Sequence, residues 1–427
     1  MKKLNVLIEK NGRMILAGNL LDTGDGNARF VYDENYRKDL AAHPISLSLP
    51  FQEEAFSREK TKQFFDGLLP EGFTRRTLAQ MLHKGENDYL SILMELGREC
   101  IGAIQILEEG DDRSSADYVP LDTKQIRRLA EEGVSRSAEI VMQTHLSLTG
   151  ASGKAGLYYN KEKQDWYLPI GDAPSTHIVK QSHVRLDSIV ANEQLSLMTA
   201  KALGLDVPDS FIINSGKYRD EDILFATKRF DREFYPHCQK VNGLAVPARL
   251  HQEDFAQALG ISAADKYETG RRGYLKAMFE LLRKYSADPI SDQLKLWDIF
   301  IFDYLVGNTD NHIKNVSLLY SPDLSSVRLA PAYDILSTAV YESSTRDMAF
   351  YIGPDISLNR IGIDSFEAAA REAGLGMRMA MARFRNMKEH FEASLQSSAE
   401  ELKQQGFEKA YDLRDRIMDL GGIANNN

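Results

Sequence analysis

The segment that most restricts this chain is Gly307-Asn308-Thr309-Asp310-Asn311-His312-Ile313-Lys314-Asn315. All of it except Ile313 is polar, charged or glycine, yet it lies between two apolar stretches. Leu294 to Val306 precedes it, interrupted only by Lys295, Asp298 and Asp303, and reads as a buried core helix. Val316 to Tyr320 follows it and reads as a short strand. The polar run is therefore a loop held by a rigid scaffold, which is where reactive groups usually sit.

Asp310 and Asn315 are five positions apart in that loop. Phosphoryl transfer needs a carboxylate to take the proton of the accepting hydroxyl and an amide oxygen to hold Mg²⁺, and the protein-kinase catalytic loop supplies both as Asp-x-x-x-x-Asn. Alone, this spacing arises by chance in most proteins. Asp334 strengthens it, nineteen residues after Asn315 in Leu329-Ala330-Pro331-Ala332-Tyr333-Asp334-Ile335-Leu336. A carboxylate in apolar surroundings must be paired or hold a cation. The order base, amide, hairpin, metal-binding Asp is that of a kinase. The plain alternative is that Asp310 caps a turn and Asp334 makes a buried hydrogen bond. His312 with the two aspartates could also be read as a two-metal hydrolase site, but no H-x-H or H-E-x-x-H pattern accompanies it.

Three further clusters bear on this reading. Lys180 ends the apolar strand Ile178-Val179-Lys180, where a kinase places the lysine that grips phosphates, and Glu193 on the next helix is the natural partner for it. A strand-end lysine that simply reaches solvent looks the same. Upstream, Ser147 opens the small-residue run Gly150-Ala151-Ser152-Gly153-Lys154, which lets backbone N–H groups come close to phosphates. It lacks the P-loop spacing, so a P-loop NTPase is disfavoured. Lys228-Arg229-Phe230-Asp231-Arg232 reads equally as a connector or as a hinge whose backbone meets an adenine edge. The basic run Arg371 to Arg385 gives one helix a positive face that is usually just solvated.

The rest of the chain sets bounds. With 427 residues, 43% hydrophobic and 27% charged, it has material for a sizeable core. Its net charge of −10 argues against nucleic-acid or membrane-surface binding by the chain as a whole. Two cysteines, Cys100 and Cys238, exclude a disulfide framework and a multi-cysteine zinc site, and favour a reducing compartment. Neither a secretory signal nor an 18-residue apolar span is seen, so a soluble, cytoplasmic protein is expected. Strands are expected at Leu4 to Ile8, at Met14 to Leu20 after the Asn11-Gly12 turn, at Phe30 to Tyr32 and at Ile45 to Leu49. The acidic stretch Glu108 to Asp117 is the best linker. A strand-rich stretch, His145 to Lys180, comes next, and helices dominate after Leu250, among them Met377 to Gln396 and Ala399 to Met418. This gives 1–115 as an N-terminal α/β subdomain, 116–248 as a β-rich lobe and 249–427 as a helical lobe.

Taken in order, these clusters resemble the HipA family, the serine/threonine kinase toxins of bacterial type II toxin–antitoxin modules. The resemblance spans nearly the whole chain. It includes Pro44 to Pro50, Phe64 to Gly72 and Leu96 to Ala103 in the N-terminal part, then each cluster described above. It implies an α+β, protein-kinase-like two-lobed fold with an added N-terminal subdomain. It also implies ATP and Mg²⁺ as cofactors, transfer to a protein Ser or Thr, and a DNA-binding HipB-like antitoxin as partner, with DNA contacted in that complex and no membrane. A glutamyl-tRNA synthetase is a target within the family. By the resemblance Asp310 is the catalytic base, Asn315 and Asp334 hold Mg²⁺, and Lys180 grips phosphates. Gly150 to Lys154, Lys228 to Phe230, His312 and Lys314 then belong to the ATP site, and Ser147 is the autophosphorylated serine that switches the kinase off. Two departures stand out: Ser152 and Gly153 where other residues are usual after Gly150-Ala151, and Lys228 where an acidic residue is known. The competing expectation is a co-repressor subunit that binds antitoxin and operator DNA with little catalysis.

Overall fold

The computed structural model describes residues 3–111, 116–144, 153–182 and 186–420. They pack as two compact units, each gathered from separate parts of the chain. The first takes residues 1–181, 226–263 and 319–326; the second takes 182–225, 264–318 and 327–427. We propose 1–115, 116–248 and 249–427 as the division by chain order, which is a different division from that by packing.

The first unit opens on a four-stranded antiparallel sheet. Strands β1 (Lys3–Lys10) and β2 (Arg13–Asp22) form the expected hairpin. Asn11 and Gly12 both take positive φ (49° and 73°), as a two-residue turn matched to strand twist requires. β3 (Ala28–Tyr32) pairs with β2, and β4 (Ile104–Glu108) pairs with β1. Leu4, Val6 and Ile8 are buried on one face of β1, and of the helices that lie between β3 and β4 in the chain, Arg58–Phe65 packs on β3 and Tyr89–Leu96 on β4.

The strand expected at Ile45 to Leu49 is a turn instead. Its polar groups are met by side chains rather than by a ladder. Ile45 N–H donates to the Tyr32 hydroxyl at 3.0 Å, Leu47 N–H to Glu253 at 3.0 Å, and Ser46 Oγ to the same carboxylate at 2.5 Å. Burial pushes Glu253 up to about 7, against the lowering pull of its hydrogen bonds from Ser46, Tyr320 and Leu47.

A second antiparallel sheet in this unit contains β5 (Asp117–Leu121), β6 (Lys154–Asn160), β7 (Asp165–Ile170) and β8 (His177–Gln181). β7 lies between β5 and β6, and β6 also pairs with β8. Helix Thr123–Glu132 begins at a capping box in which Asp122 and Gln125 exchange hydrogen bonds. A further helix, Val134–Thr144, follows it.

The second unit is mainly helical: Ile189–Ala202, Tyr274–Tyr285, Pro289–Val306, Ile363–Glu372, Met377–Gln404 and Lys409–Asp419. Its core is built on Pro289–Val306, whose Trp297, Phe300, Phe302 and Tyr304 are buried. Trp297 Nε1–H is satisfied by Ala380 O at 3.0 Å. The break expected between 396 and 399 does not occur, because Leu395, Ser398, Ala399 and Leu402 continue one buried face. The break comes at Gly406, whose φ of +100° closes a Schellman turn with Phe407 N–H on Leu402 O and Gly406 N–H on Lys403 O. Among the described residues no helix is long and apolar enough to cross a membrane.

Candidate active site

Helix Pro289–Val306 starts with Asp288 capping Ser291 N–H and Pro in its first turn, and ends at Gly307 in the left-handed conformation. The φ of 74° at Gly307 favours glycine, and a side chain there would also meet Leu420 Cδ1 at 2.7 Å and Ala339 Cβ at 3.1 Å. The chain turns here and delivers the polar loop from a rigid end.

Asp303 holds that loop in shape. It is 1% exposed, one turn before the helix end. Oδ1 accepts from Asn308 Nδ2 at 2.9 Å, and Oδ2 accepts from Asn311 Nδ2. Asn308 in turn accepts from Asp310 N–H at 3.2 Å through its own Oδ1. Burial raises Asp303 to about 7, while the two amide donors pull the other way. A buried carboxylate thus fixes both asparagines and, through Asn308, the backbone of Asp310.

Asp310 itself is exposed. Its carbonyl accepts from His312 N–H at 2.8 Å and from Asn315 Nδ2 at 3.0 Å, so Asp310 and Asn315 are locked together across the loop. With Nδ2 engaged in this way, the Asn315 amide oxygen is the atom left to face a cation. His312 and Lys314 are buried, and Lys314 O accepts from the Tyr333 hydroxyl at 3.0 Å. Tyr333 therefore ties the loop to Asp334, the next residue.

Asp334 has φ of +57°, rare for a residue with a side chain. The segment around it is pinned on both sides. Ala332 N–H donates to Asp206 O at 2.8 Å. Ser337 N–H donates to Asn192 Oδ1 at 2.9 Å, and Asn192 Nδ2 donates to Ser337 O at 2.8 Å. Thr338 Oγ1 accepts from Thr309 N–H at 2.7 Å. Strain of this kind persists where the surroundings over-determine it, and it clusters at functional positions. One amide oxygen and one carboxylate suit Mg²⁺, which keeps several waters and takes only one or two protein ligands beside substrate phosphates. Among the described residues there is no group of three or more His, Cys, Asp or Glu that could hold a metal ion.

In the first unit, Lys154 and Lys180 are directly opposite each other on β6 and β8, so their side chains leave the same face of the sheet. Both are buried. Gly153 is buried just before β6. Ser147, Gly150, Ala151 and Ser152 lie outside the described residues. Glu193 is buried in Ile189–Ala202 of the second unit.

Lys228 is exposed at the end of strand Ile223–Lys228 and Phe230 is half-buried. Arg229 is buried and its side chain is held within the first unit. Its guanidinium binds Asp231 at 2.6 and 2.8 Å and Ser175 Oγ at 2.9 Å, and its own N–H donates to Thr176 O at 2.9 Å. It belongs to a buried cluster in which Glu99 lies 2.7 Å from Arg232 and from Arg249, and Arg249 is 3.4 Å from Glu9. Burial alone would raise Glu99, but Arg232, Arg249 and Arg229 outweigh it and lower it.

The sequence singled out Asp310, Asn315 and Asp334 but gave no role to Asp303, Asn308, Asn192 or Tyr333. Asp303 carried the same signal as Asp334, a carboxylate among apolar residues.

The chain is similar to known proteins over most of its length. The family model described as the HipA-like C-terminal domain matches residues 146–395, and that described as the HipA N-terminal domain matches residues 6–107. A Sinorhizobium fredii protein named as a kinase, Y4mE, is 34% identical over 386 residues, 88% of this chain and 87% of that one. The serine/threonine-protein kinase toxin HipA of Shewanella oneidensis is 28% identical over 357 residues, 80% and 78% of the two chains. The solved complex of Shewanella oneidensis HipA with HipB and operator DNA matches with a TM-score of 0.77 at 22% identity, over 98% of both chains, which establishes a shared α+β fold. With one family model covering more than half its length and a second covering its N-terminal part, this chain belongs to the HipA family.

Proposed function

We propose that the protein is an ATP- and Mg²⁺-dependent kinase that transfers the γ-phosphate to a serine or threonine of another protein, as a growth-inhibiting toxin. The observation that carries this is the loop Asp310–Asn315, keyed by buried Asp303 and tied through Tyr333 to the strained Asp334. Asp310 accepts the proton of the substrate hydroxyl and orients its oxygen toward phosphorus. The Asn315 amide oxygen and the Asp334 carboxylate hold Mg²⁺, which when bound neutralises charge on the transferring phosphoryl group. Lys154 and Lys180 bear on the phosphates, Glu193 pairs with Lys180, and the backbone of Lys228 to Phe230 meets adenine. His312 and Lys314 complete the nucleotide site.

Ser147 is proposed as an autophosphorylation site. A phosphate brings about −1.5 to −2 charge, which would repel a loop that must approach ATP. The related Shewanella toxin is solved with HipB and operator DNA. That supports a HipB-like antitoxin as partner here, with DNA met in the same complex.

The test is phosphotransfer from labelled ATP to proteins of a host lysate, with Asp310→Asn and Asp334→Asn side by side. Asp310→Asn should lower transfer by about 10²–10⁴-fold, the usual contribution of a general base, while Mg²⁺-ATP still binds. Asp334→Asn should weaken both binding and rate, because it removes a negative metal ligand. Near wild-type transfer by Asp310→Asn would refute the assignment of the base.

A further inference from the structure

Tyr267 lies outside every motif read from the sequence, yet its hydroxyl donates to Asp310 Oδ1. The ring is 42% exposed, so burial does not explain the placement of this side chain. Its edge-to-face contact with His312, with centroids 5.1 Å apart and planes at 84°, sets the ring against the same loop.

The backbone beneath Tyr267 is fixed by its neighbour. Glu268 is 4% exposed. One carboxylate oxygen accepts from Gly273 N–H at 2.5 Å and from Tyr274 N–H at 3.3 Å; the other accepts from Tyr351 N–H at 3.0 Å. Glu268 N–H donates to Ala349 O at 2.8 Å. The Tyr274 hydroxyl closes the same turn on Asp265 O at 2.7 Å. A buried carboxylate thus clamps a short segment to strand Asp347–Ile352 and leaves an aromatic side chain projecting to Asp310.

We infer that Tyr267 is a positioning residue for the general base: its phenol holds the Asp310 carboxylate in the orientation that receives the substrate hydroxyl. This rests on the kinase reading given above. The backbone of Asp310 is already fixed by Asn308, His312 and Asn315, but that leaves rotation of the carboxylate open. A carboxylate offers about four acceptor positions on two oxygens. Tyr267 takes one of them on Oδ1, and an incoming hydroxyl needs one more. Small misplacement of a reacting group is costly in rate even when binding is untouched.

The experiment is a double-mutant cycle on phosphotransfer with Tyr267→Phe and Asp310→Asn, together with Mg²⁺-ATP affinity and melting temperature. Tyr267→Phe should lower kcat by roughly ten-fold and leave ATP affinity and melting temperature as in the wild type. In the Asp310→Asn background the same change should have less than about a two-fold effect, because residues acting through one another are not additive. An equal fall in both backgrounds would mean a structural role and would overturn the inference. So would a Tyr267→Phe enzyme as fast as the wild type or faster, which would make the phenol an obstruction. A wild type that binds ATP but transfers nothing would overturn the kinase reading itself, and this inference with it.

Discussion

Asp303→Asn separates the role of Asp303 in shaping the loop from any role in holding the fold together. In the folded protein, burial raises this carboxyl from 3.8 to about 7. Between about pH 4 and pH 7 the folded chain therefore holds a proton that the unfolded chain has released. Stability from this group falls as pH rises through that window and is level above it. From pH 5 to pH 8 the wild type should lose about 3 kcal/mol on this account, at about 1.4 kcal/mol per unit. The asparagine variant loses none of it. At pH 5 the neutral acid and the amide are near-isosteres, and one poorly matched buried donor costs about 1–3 kcal/mol. The variant should thus be slightly less stable than the wild type at pH 5 and equal or more stable at pH 8. Its phosphotransfer should nevertheless be slower at both, because one of Asn308 and Asn311 loses its acceptor. Urea denaturation at the two pH values reads the first effect, in a Trp166→Phe background so that Trp297, in the same unit as Asp303, reports alone. A stability difference that stays flat with pH, or moves the other way, would refute the account of Asp303 as a buried carboxylate that ionises at a cost.

Two further outcomes follow from the first unit. Lys180→Ala should weaken Mg²⁺-ATP binding measured by calorimetry, since it takes one of two opposed cations from the phosphates; unchanged affinity would remove Lys180 from the site. Glu99→Gln leaves Arg232 and Arg249 buried with one countercharge fewer. Breaking such a pair costs about 3–5 kcal/mol, so the melting temperature should fall sharply, and a variant as stable as the wild type would show the cluster to be dispensable.

What the sequence disclosed and what it withheld divide along a physical line. The helix that ends at Val306 was legible from Leu294 on because its apolar pattern is a local property, whereas its start at Pro289 was not read. Asp310, Asn315 and Asp334 were legible as residue types in order, because the chain places them within one short stretch. Ile45 to Leu49 misled because its alternation is real but its hydrogen bonds go to Tyr32 and Glu253, distant in sequence. The same distance hid the supports of the site. Asn192 reaches Ser337 across 145 positions, and Tyr267 reaches Asp310 across 43. The supports of the Asp310 loop therefore divide in two: Asp303 and Asn308 share its stretch of chain, while Asn192 and Tyr267 come from elsewhere and become visible as supports only once the chain is folded.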